Sequence, residues 1–252
     1  MNEATRYELV GGVATVTLDR PDSRNALSVE LMDSLGENLE RAVADPQVRV
    51  IVLTNEGPAF CAGADLKAAD WSLGPVHDLS SILGLLLDSP KPTLARVAGH
   101  AMGGGVGLAA ACDLSVASDD SLFGFTEVRR GVAPAVISVV CLSKLRRADA
   151  SELFLTGRRI SASRAVEVGL LNAAVPPGEL DARVASLVAE LLAGGPNALA
   201  ACKQLISRVP SMSRSYAFAW TSQVSASLFR SEEAAEGISA FRDKIAPPWA
   251  RE

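Results

Sequence analysis

The sequence predicts an α/β fold followed by a C-terminal α-helical region. In the first part of the chain, short β-branched segments typical of buried parallel strands alternate with amphipathic helices. From about residue 135 the pattern is almost entirely helical, and a turn-rich segment at 175–178 separates the two parts. We therefore predict two regions, residues 1–175 and residues 176–252, and expect the second to contribute to oligomerisation.

The elements of the first region follow from alternation, capping and breaker residues. Residues 7–10 and 13–18 alternate in the manner of strands around Gly11-Gly12, which predicts a hairpin. Ser28 is a suitable N-cap for a helix that runs to about residue 44, because leucines recur every four residues after it. Further strands are predicted at 50–53, 93–97 and 114–117, further helices at 78–87 and 106–112, and a loop at 55–64.

From about residue 135 onward the chain reads as a series of helices. They are predicted at 135–144, 148–155, 163–168, 180–192, 196–208, 215–229 and 231–244, with one more strand near 173–175. Amphipathic helices beyond a sheet need an apolar surface to cover, either within the chain or on a neighbouring subunit. We therefore expect a homo-oligomer.

Composition excludes several classes of protein. The 252 residues are 48% hydrophobic and 21% charged, as in ordinary globular proteins, and the net charge of −5 with no basic run longer than two argues against nucleic-acid binding. The apolar segment 101–112 is too short to cross a membrane. Four scattered cysteines and two histidines predict no metal site. The N-terminus lacks the basic and apolar pattern of a signal peptide, so we expect a cytoplasmic protein.

The glycine cluster at 103–105 has three interpretations. It can be a tight turn that allows close packing. Residues 105–110 also fit the loose G-x-G-x-x-A pattern of dinucleotide-binding proteins, with Glu127 about 20 residues further on. Finally, glycines at a helix N-terminus can expose a backbone N–H to a developing negative charge, as in an oxyanion hole. The small-residue turn at 60–66 is a candidate for the second donor of such a hole.

Two of these segments, CAGADL at 61–66 and AMGGGVGLAAACDL at 101–114, resemble the crotonase superfamily, also called the enoyl-CoA hydratase/isomerase family. Further matching segments follow in order along nearly the whole chain: Arg20-Pro21, 25–27, Lys91-Pro92, 123–127, 131–134, 155–157, 165–170, Glu236-Gly237 and 241–244. The resemblance implies a crotonase-like ββα spiral core in the first region. It also implies trimers or paired trimers.

The same resemblance implies a coenzyme A thioester as substrate. The backbone N–H groups of Ala64 and Gly104 would hold the thioester oxygen, and Glu127 would be the acid/base. Related hydratases carry another glutamate at the position of Gly107, so their two-carboxylate water clamp is not available here. One carboxylate is sufficient to remove a proton and return it elsewhere.

Coenzyme A binding is also implied by the resemblance. Arg24 is expected near the phosphates, the backbone of 62–66 around the adenine, and the last helix closing over the coenzyme. The full set of expected binding residues is Arg24, Ala26, Ala62, Asp65, Leu66, Gly103, Phe241 and Lys244. No separate cofactor is expected, because coenzyme A is part of the substrate.

Four functions remain open from the sequence. The first is an enoyl-CoA hydratase-type lyase, branched substrates such as methylglutaconyl-CoA included. The alternatives are a 3-enoyl-CoA to 2-enoyl-CoA isomerase that uses one glutamate, a non-catalytic acyl-CoA-binding protein, and a nicotinamide-dependent oxidoreductase. Candidate helper residues are Asp70, Trp71, His77 and Asp78, although His77 is better explained as an exposed loop residue and Asp113 as a structural one.

Overall fold

The computed structural model describes residues 4–65 and 76–250. The strands are β1 Thr5–Val10, β2 Val13–Leu18, β3 Val50–Asn55, β4 Ala59–Cys61, β5 Thr93–Val97, β6 His100–Met102, β7 Leu114–Ser118, β8 Leu122–Gly124, β9 Arg159–Ser161 and β10 Ala173–Val175. The helices are α1 Val29–Ala44, α2 Leu79–Asp88, α3 Gly104–Ala111, α4 Ala135–Cys141, α5 Arg147–Thr156, α6 Ala162–Glu167, α7 Leu180–Ala193, α8 Pro196–Arg208, α9 Arg214–Phe229 and α10 Glu232–Asp243.

A six-stranded sheet organises the core, in the order β1-β2-β3-β5-β7-β10. The β1–β2 pair is the antiparallel hairpin predicted from the sequence, and the remaining pairs are parallel. Every residue of β3 is buried, and its side chains alternate between two layers. Ile51 and Leu53 belong to the core cluster that contains α1, α2 and α3, whereas Val50 and Val52 pack against α7.

A second sheet, in the order β4-β6-β8-β9, corrects the sequence prediction. The segment 55–64 is not entirely a loop, since β4 lies within it, and β6, β8 and β9 were not predicted. Each of these four strands has only three residues. Three residues are too few to show alternation, so periodicity cannot reveal such strands. Strand β6 of this small sheet leads directly into α3.

Two side-chain caps, of which Ser28 was predicted, begin the helices α1 and α2. Ser28 accepts a hydrogen bond from the backbone N–H of Leu31 at 3.2 Å, and Asp78 accepts one from Ser81 at 2.7 Å. These bonds satisfy N–H groups that have no partner within the helix. Helix α1 then buries Leu31, Leu35 and Leu39, as their spacing predicts.

Close approach of α3 to β4 requires glycine at position 105. A Cβ atom there would overlap the carbonyl oxygen of Cys61 and lie 2.8 Å from the Cβ atom of Cys61.

We expect Gly105→Ala to lower the free energy of unfolding by about 1–3 kcal/mol, because the backbone must shift to relieve the overlap. Gly84→Ala is the matched control: Gly84 lies in α2 with nothing near its Cβ position, so alanine should stabilise the helix by up to about 1 kcal/mol. Denaturant unfolding of both variants measures the difference, and equal stabilities would contradict the packing.

The last three helices leave much apolar surface exposed. No side chain of α8 or α9 is buried, and α10 buries only Ala240. Phe218 and Phe229 of α9 are 69% and 74% exposed. Within the described ranges, no single helix is long and apolar enough to cross a bilayer; the segments 177–193 and 196–211 meet that test only together, across a bend of 107°.

Candidate active site

A cavity of about 670 Å³ lies where the N-terminus of α3 meets two loops and the start of α4. Its walls come from four segments of the chain. Within them the lining residues are 22–24, 26–27, 62–65, 103–104, 126–127, 130 and 132–137, to which Leu79 of α2 is added. A volume of this size is typical of sites for small molecules and cofactors.

The buried side chain of Asn25 fixes the first loop. Its Oδ1 accepts a hydrogen bond from the N–H of Arg20 at 2.7 Å, and its Nδ2 donates to the carbonyl oxygens of Glu56 and Ala59 at 3.0 and 2.8 Å. Arg24 and Asn25 both have left-handed backbone conformations, with φ of 55° and 52°. These bonds compensate the strain and hold Arg24 exposed at the edge of the cavity.

The second loop is hydrogen-bonded to the first. The N–H of Leu27 donates to Gly63 O at 2.8 Å, and the N–H of Ala62 donates to Arg24 O at 3.0 Å. Gly63 has a φ of 87°, and a Cβ there would lie 3.0 Å from Met102 O and 3.6 Å from the Gly104 nitrogen. The loop that carries Ala64 is therefore packed against the start of α3.

Two backbone donors face this cavity. Ala64 and Gly104 both line it, and neither N–H donates to a backbone acceptor among the residues that the structure describes. Gly104 is the first residue of α3, where N–H groups have no partner within the helix and the helix dipole favours negative charge. Two free amides beside one cavity can stabilise an oxyanion.

Glu127 lies beside Gly103, the residue before α3, and lines the same cavity. It belongs to the 3₁₀ turn Thr126–Arg130, and its Oε1 is 2.6 Å from the position that a Cβ on Gly103 would occupy. Burial raises the pKa of Glu127 above its ordinary value of 4.5, while its own backbone N–H and the Arg130 guanidinium lower it. Oε2 is buried without a hydrogen-bond partner among the described residues. The carboxylate therefore has an unused acceptor atom at the wall of the cavity.

Gly107 lies one helical turn beyond Gly103, and hydrocarbon covers it. A Cβ at position 107 would overlap Cγ2 of Ile137 and lie 2.9 Å from Ile137 Cβ. Ile137 also lines the cavity. The space from which a second carboxylate would reach the substrate is thus filled by an isoleucine of α4.

The glycines of the G-x-G-x-x-A segment are covered by protein atoms. Gly105 packs against Cys61 and Gly107 packs against Ile137, and every residue of α3 is buried. A dinucleotide phosphate needs exposed backbone at these glycines. This segment offers none.

Most of the predicted binding residues line the cavity. They are Arg24, Ala26, Ala62, Asp65 and Gly103. Leu66, Asp70 and Trp71 lie outside the described residues. Phe241 is 85% exposed and Lys244 is the exposed C-cap of α10, and neither lines the cavity in the single chain.

His77 corrects a prediction, because it is buried rather than exposed. It is 8% exposed, and its ring occupies the space where a Cβ on Gly36 of α1 would lie. Its Nε2 is 3.2 Å from Glu40 Oε1. His77 does not line the cavity. The pattern of an isolated histidine in a loop gave no sign of the gap that Gly36 leaves in α1.

Two aspartates have structural roles. Asp78 caps α2, which explains it without catalysis. Asp113 accepts hydrogen bonds from the N–H and hydroxyl of Thr93 at 2.7 and 3.0 Å, and it pairs with Lys203 of α8 at 2.7 Å. The structural role predicted for Asp113 is confirmed.

Sequence reasoning missed Arg130 and the apolar lining of the site. Arg130 lies in the cavity wall and donates to Thr126 Oγ1 at 2.8 Å. Leu27, Leu79, Val136 and Ile137 supply hydrocarbon. Arg130 follows Glu127 by three residues, about one turn, and this spacing could have predicted that both side chains lie on the same side of the turn. No group of three or more His, Cys, Asp or Glu side chains within the described ranges could hold a metal ion.

Comparison with known proteins places this chain in a family. The family described as enoyl-CoA hydratase/isomerase matches residues 8–252. The chain belongs to this family. An enoyl-CoA hydratase of Mycobacterium tuberculosis is 36% identical over 248 residues, which cover 94% of this chain and 92% of that protein. A carnitinyl-CoA dehydratase of Salmonella typhi is 34% identical over 259 residues, which cover 99% of both.

Solved structures of the enoyl-CoA hydratase/isomerase family share the fold. The crystal structure of an enoyl-CoA hydratase from Mycobacterium smegmatis superposes with a TM-score of 0.90 at 32% identity, covering 98% of this chain and 99% of that one. Human enoyl coenzyme A hydratase domain-containing protein 3 has a TM-score of 0.91 at 28% identity, covering 98% and 100%. The predicted crotonase-like fold with a helical C-terminal region is confirmed, and the protein is an enzyme of the hydratase/isomerase type.

Proposed function

We propose that this enzyme is an enoyl-CoA hydratase-type lyase, which adds water to the double bond of a 2-enoyl-CoA thioester. One observation carries the proposal. The Glu127 carboxylate lies against Gly103, the residue before the free amide of Gly104, and both line one cavity with Ala64. This proximity supports the roles of Glu127 as acid/base and of the Ala64 and Gly104 amides as oxyanion donors.

The proposed mechanism divides the work between backbone and side chain. Addition of water to the β-carbon of the thioester moves negative charge onto the thioester oxygen. The N–H groups of Ala64 and Gly104 stabilise this enolate, each by about 3–4 kcal/mol if they act as other oxyanion-hole donors do. Glu127 takes the proton from the attacking water and returns a proton to the α-carbon. The raised pKa of Glu127 lies closer to neutral pH, where one carboxyl group can both take a proton from water and give a proton to carbon.

Coenzyme A is proposed to lie along the loops 22–27 and 62–65. Arg24 is the exposed cation of the first loop at the cavity edge and suits the phosphates. Coenzyme A enters and leaves with the substrate, so we propose no resident cofactor. The roles predicted for Phe241 and Lys244 require a neighbouring subunit, because these residues do not line the cavity of their own chain.

Turnover of crotonyl-CoA tests the proposal. We expect loss of the conjugated thioester absorbance and incorporation of one solvent ¹⁸O atom into the product. Binding of crotonyl-CoA without turnover of this or any 3-enoyl-CoA would instead indicate a non-catalytic acyl-CoA-binding protein. Saturable NAD binding that coenzyme A does not compete with would indicate an oxidoreductase.

A second candidate function is the isomerisation of 3-enoyl-CoA to 2-enoyl-CoA. It is favoured by Ile137, which fills the space next to Gly107 where a second carboxylate could orient water. Isomerisation needs one base and no positioned water. Appearance of the conjugated thioester absorbance from a 3-enoyl-CoA, without ¹⁸O incorporation, would support it.

Arg130 should set the pH at which the enzyme loses activity in acid. Protonation of Glu127 removes the base, so kcat/KM falls as the pH drops through its raised pKa. Arg130 lowers that pKa, so Arg130→Gln should raise it further and move the acid limb to higher pH. The matched control is Arg129→Gln, since Arg129 does not line the cavity. A pH profile of Arg130→Gln that matches the control profile would contradict the assignment.

We also propose that the enzyme forms a homo-oligomer, a trimer or a hexamer. The support is the exposed apolar surface of α8 and α9, which includes Phe218, Phe229 and Ile206. The exposed fraction of Ile206 is 76%. Light scattering should give three or six times the chain mass of 26.3 kDa. A monomer across the micromolar range would contradict it.

A further inference from the structure

Leu27 contacts both segments that carry a backbone donor of the cavity, and the first contact is made by its own backbone. It forms a parallel β-bridge with Ala64. The N–H of Leu27 donates to Gly63 O at 2.8 Å, and the N–H of Asp65 donates to Leu27 O at 3.3 Å. These two bonds hold the peptide units on both sides of Ala64 and leave the Ala64 N–H outside the bridge.

The bond to Gly63 determines where the Ala64 N–H points. The carbonyl of Gly63 and the N–H of Ala64 belong to one peptide unit, and the peptide units of the described ranges include no cis bond. In a planar trans unit the C=O and the N–H point in opposite directions. Because Gly63 O is directed at Leu27, the Ala64 N–H is directed away from Leu27.

The second contact is made by the Leu27 side chain. A Cβ atom on Gly104 would overlap Cδ1 of Leu27 and lie 3.7 Å from Leu27 Cγ. The side chain therefore lies against the first residue of α3, whose N–H is the other donor. The next residue, Gly105, packs against Cys61 of β4, so the first two residues of α3 each lie against a buried residue.

Leu27 itself has little freedom to move. It is 3% exposed. Asn25, two residues before it, makes three hydrogen bonds to backbone groups, and Ser28, directly after it, is the N-cap of α1. The backbone is thus anchored on both sides of Leu27, and a shift of Leu27 relative to α3 would disturb the start of α1.

From these contacts we infer that Leu27 is a positioning residue of the oxyanion hole, whose backbone directs the Ala64 N–H and whose side chain keeps the Gly104 N–H in the matching place. The inference rests on the proposed function, in which these two donors bind one thioester oxygen. A hydrogen bond weakens steeply as its angle falls toward about 120°, so two donors serve one oxygen only while their relative position is kept. Leu27 acts through them, since its own N–H is bonded to Gly63.

The test removes the side-chain contact and leaves the backbone bonds in place. Leu27→Ala deletes Cγ and both Cδ atoms, while the N–H and C=O of residue 27 remain. The matched control is Leu79→Ala. Leu79 lines the same cavity, but its nearest atom to the Cβ position of Gly104 is at the ordinary contact distance of 3.5 Å. The control therefore measures the loss of cavity hydrocarbon alone.

The readout is the C=O stretching frequency of bound butyryl-CoA, labelled with ¹³C at the thioester carbon and measured by infrared difference spectroscopy. Hydrogen bonds to the carbonyl oxygen lower this frequency. In the unsubstituted enzyme it should lie below the value in water. Leu27→Ala should move it part of the way back, whereas Leu79→Ala should leave it unchanged. The kcat for crotonyl-CoA should fall by about tenfold in Leu27→Ala, which is part of the effect of removing one donor.

Gly104→Ala distinguishes positioning from a general loss of packing. In the unsubstituted chain the added methyl group overlaps Leu27, so this variant alone should also raise the frequency. In Leu27→Ala the same methyl group enters the space that the leucine has left, and the N–H of residue 104 is kept. The double variant should therefore return toward the frequency of the unsubstituted enzyme, although each single variant departs from it.

An unchanged frequency in Leu27→Ala, or an equal change in Leu79→Ala, would overturn this inference and leave the proposed function intact. A bound ligand whose frequency in the unsubstituted enzyme equals that in water would overturn the oxyanion hole and the proposed function with it. If Leu27→Ala does not fold, Leu27→Val also removes Cδ1 and suits the extended backbone of a β-bridge. It should raise the frequency in the same way, and an unchanged value would again overturn the inference.

Discussion

Glu127→Gln should lower kcat by about 10³-fold, within the 10²- to 10⁴-fold range of general acid/base catalysis. Glutamine keeps the size of the side chain beside Gly103 but cannot take up or return a proton. Since the backbone donors and the coenzyme loops are untouched, the Kd for a saturated acyl-CoA should change by no more than a few-fold. Stopped-flow turnover of crotonyl-CoA and calorimetric binding of butyryl-CoA measure the two effects separately.

Glu179→Gln is the matched control for this substitution. Glu179 is exposed at the start of α7 and does not line the cavity, so the same chemical change there should leave kcat unaltered. Full activity of Glu127→Gln would remove this carboxylate from the mechanism. A parallel loss of acyl-CoA binding would show that the side chain holds the substrate rather than moves a proton.

Ala64→Pro should lower kcat by about 10²- to 10³-fold, the effect of removing one oxyanion-hole donor. Proline deletes the N–H of residue 64 itself, whereas ordinary side-chain substitutions leave it in place. The neighbouring bonds that hold this loop use other atoms, the N–H of Leu27 and the carbonyl of Gly63 among them. Circular dichroism and thermal unfolding first establish that the variant is folded, and steady-state turnover then measures the loss.

Ala64→Gly is the comparison for the donor, because it also changes the residue at position 64 but keeps the N–H. The ratio of kcat between the glycine and proline variants is the contribution of the amide. A folded Ala64→Pro enzyme with the same kcat as Ala64→Gly would show that the thioester oxygen is bound elsewhere.

Local signals predicted the large elements and the polar centre of the site. The hairpin over Gly11-Gly12, the Ser28 cap and the regular leucines of α1 are short-range patterns, and each is present in the structure. The site motifs were found because 61–66 and 101–114 are contiguous segments that resemble a known family. Glu127 was assigned through the same resemblance.

Contacts between distant segments could not be predicted in the same way. The three-residue strands of the second sheet exist because they pair with one another, and alone they show no period. Glycine at 107 signalled a missing side chain, but only the packing of α3 on α4 shows that Ile137, 30 residues away in sequence, fills the space. His77 was misjudged for the same reason, because Gly36 that admits its ring lies in another helix.

The hydrogen bonds of Asn25 have a consequence for how such enzymes diverge. One amide side chain ties together Arg20, Glu56 and Ala59, and thereby the loop that holds Arg24 and the strand that leads to Ala64. Loss of this side chain would remove the partner of the Arg20 N–H and of the Glu56 carbonyl and leave Ala59 O only its bond from Asn55, so this side of the cavity tolerates little sequence drift. Residues 132–137 on the opposite side carry no such tie to Asn25. Substitutions can therefore accumulate there one at a time, while the arrangement of the loops that carry Arg24 and Ala64 is inherited unchanged.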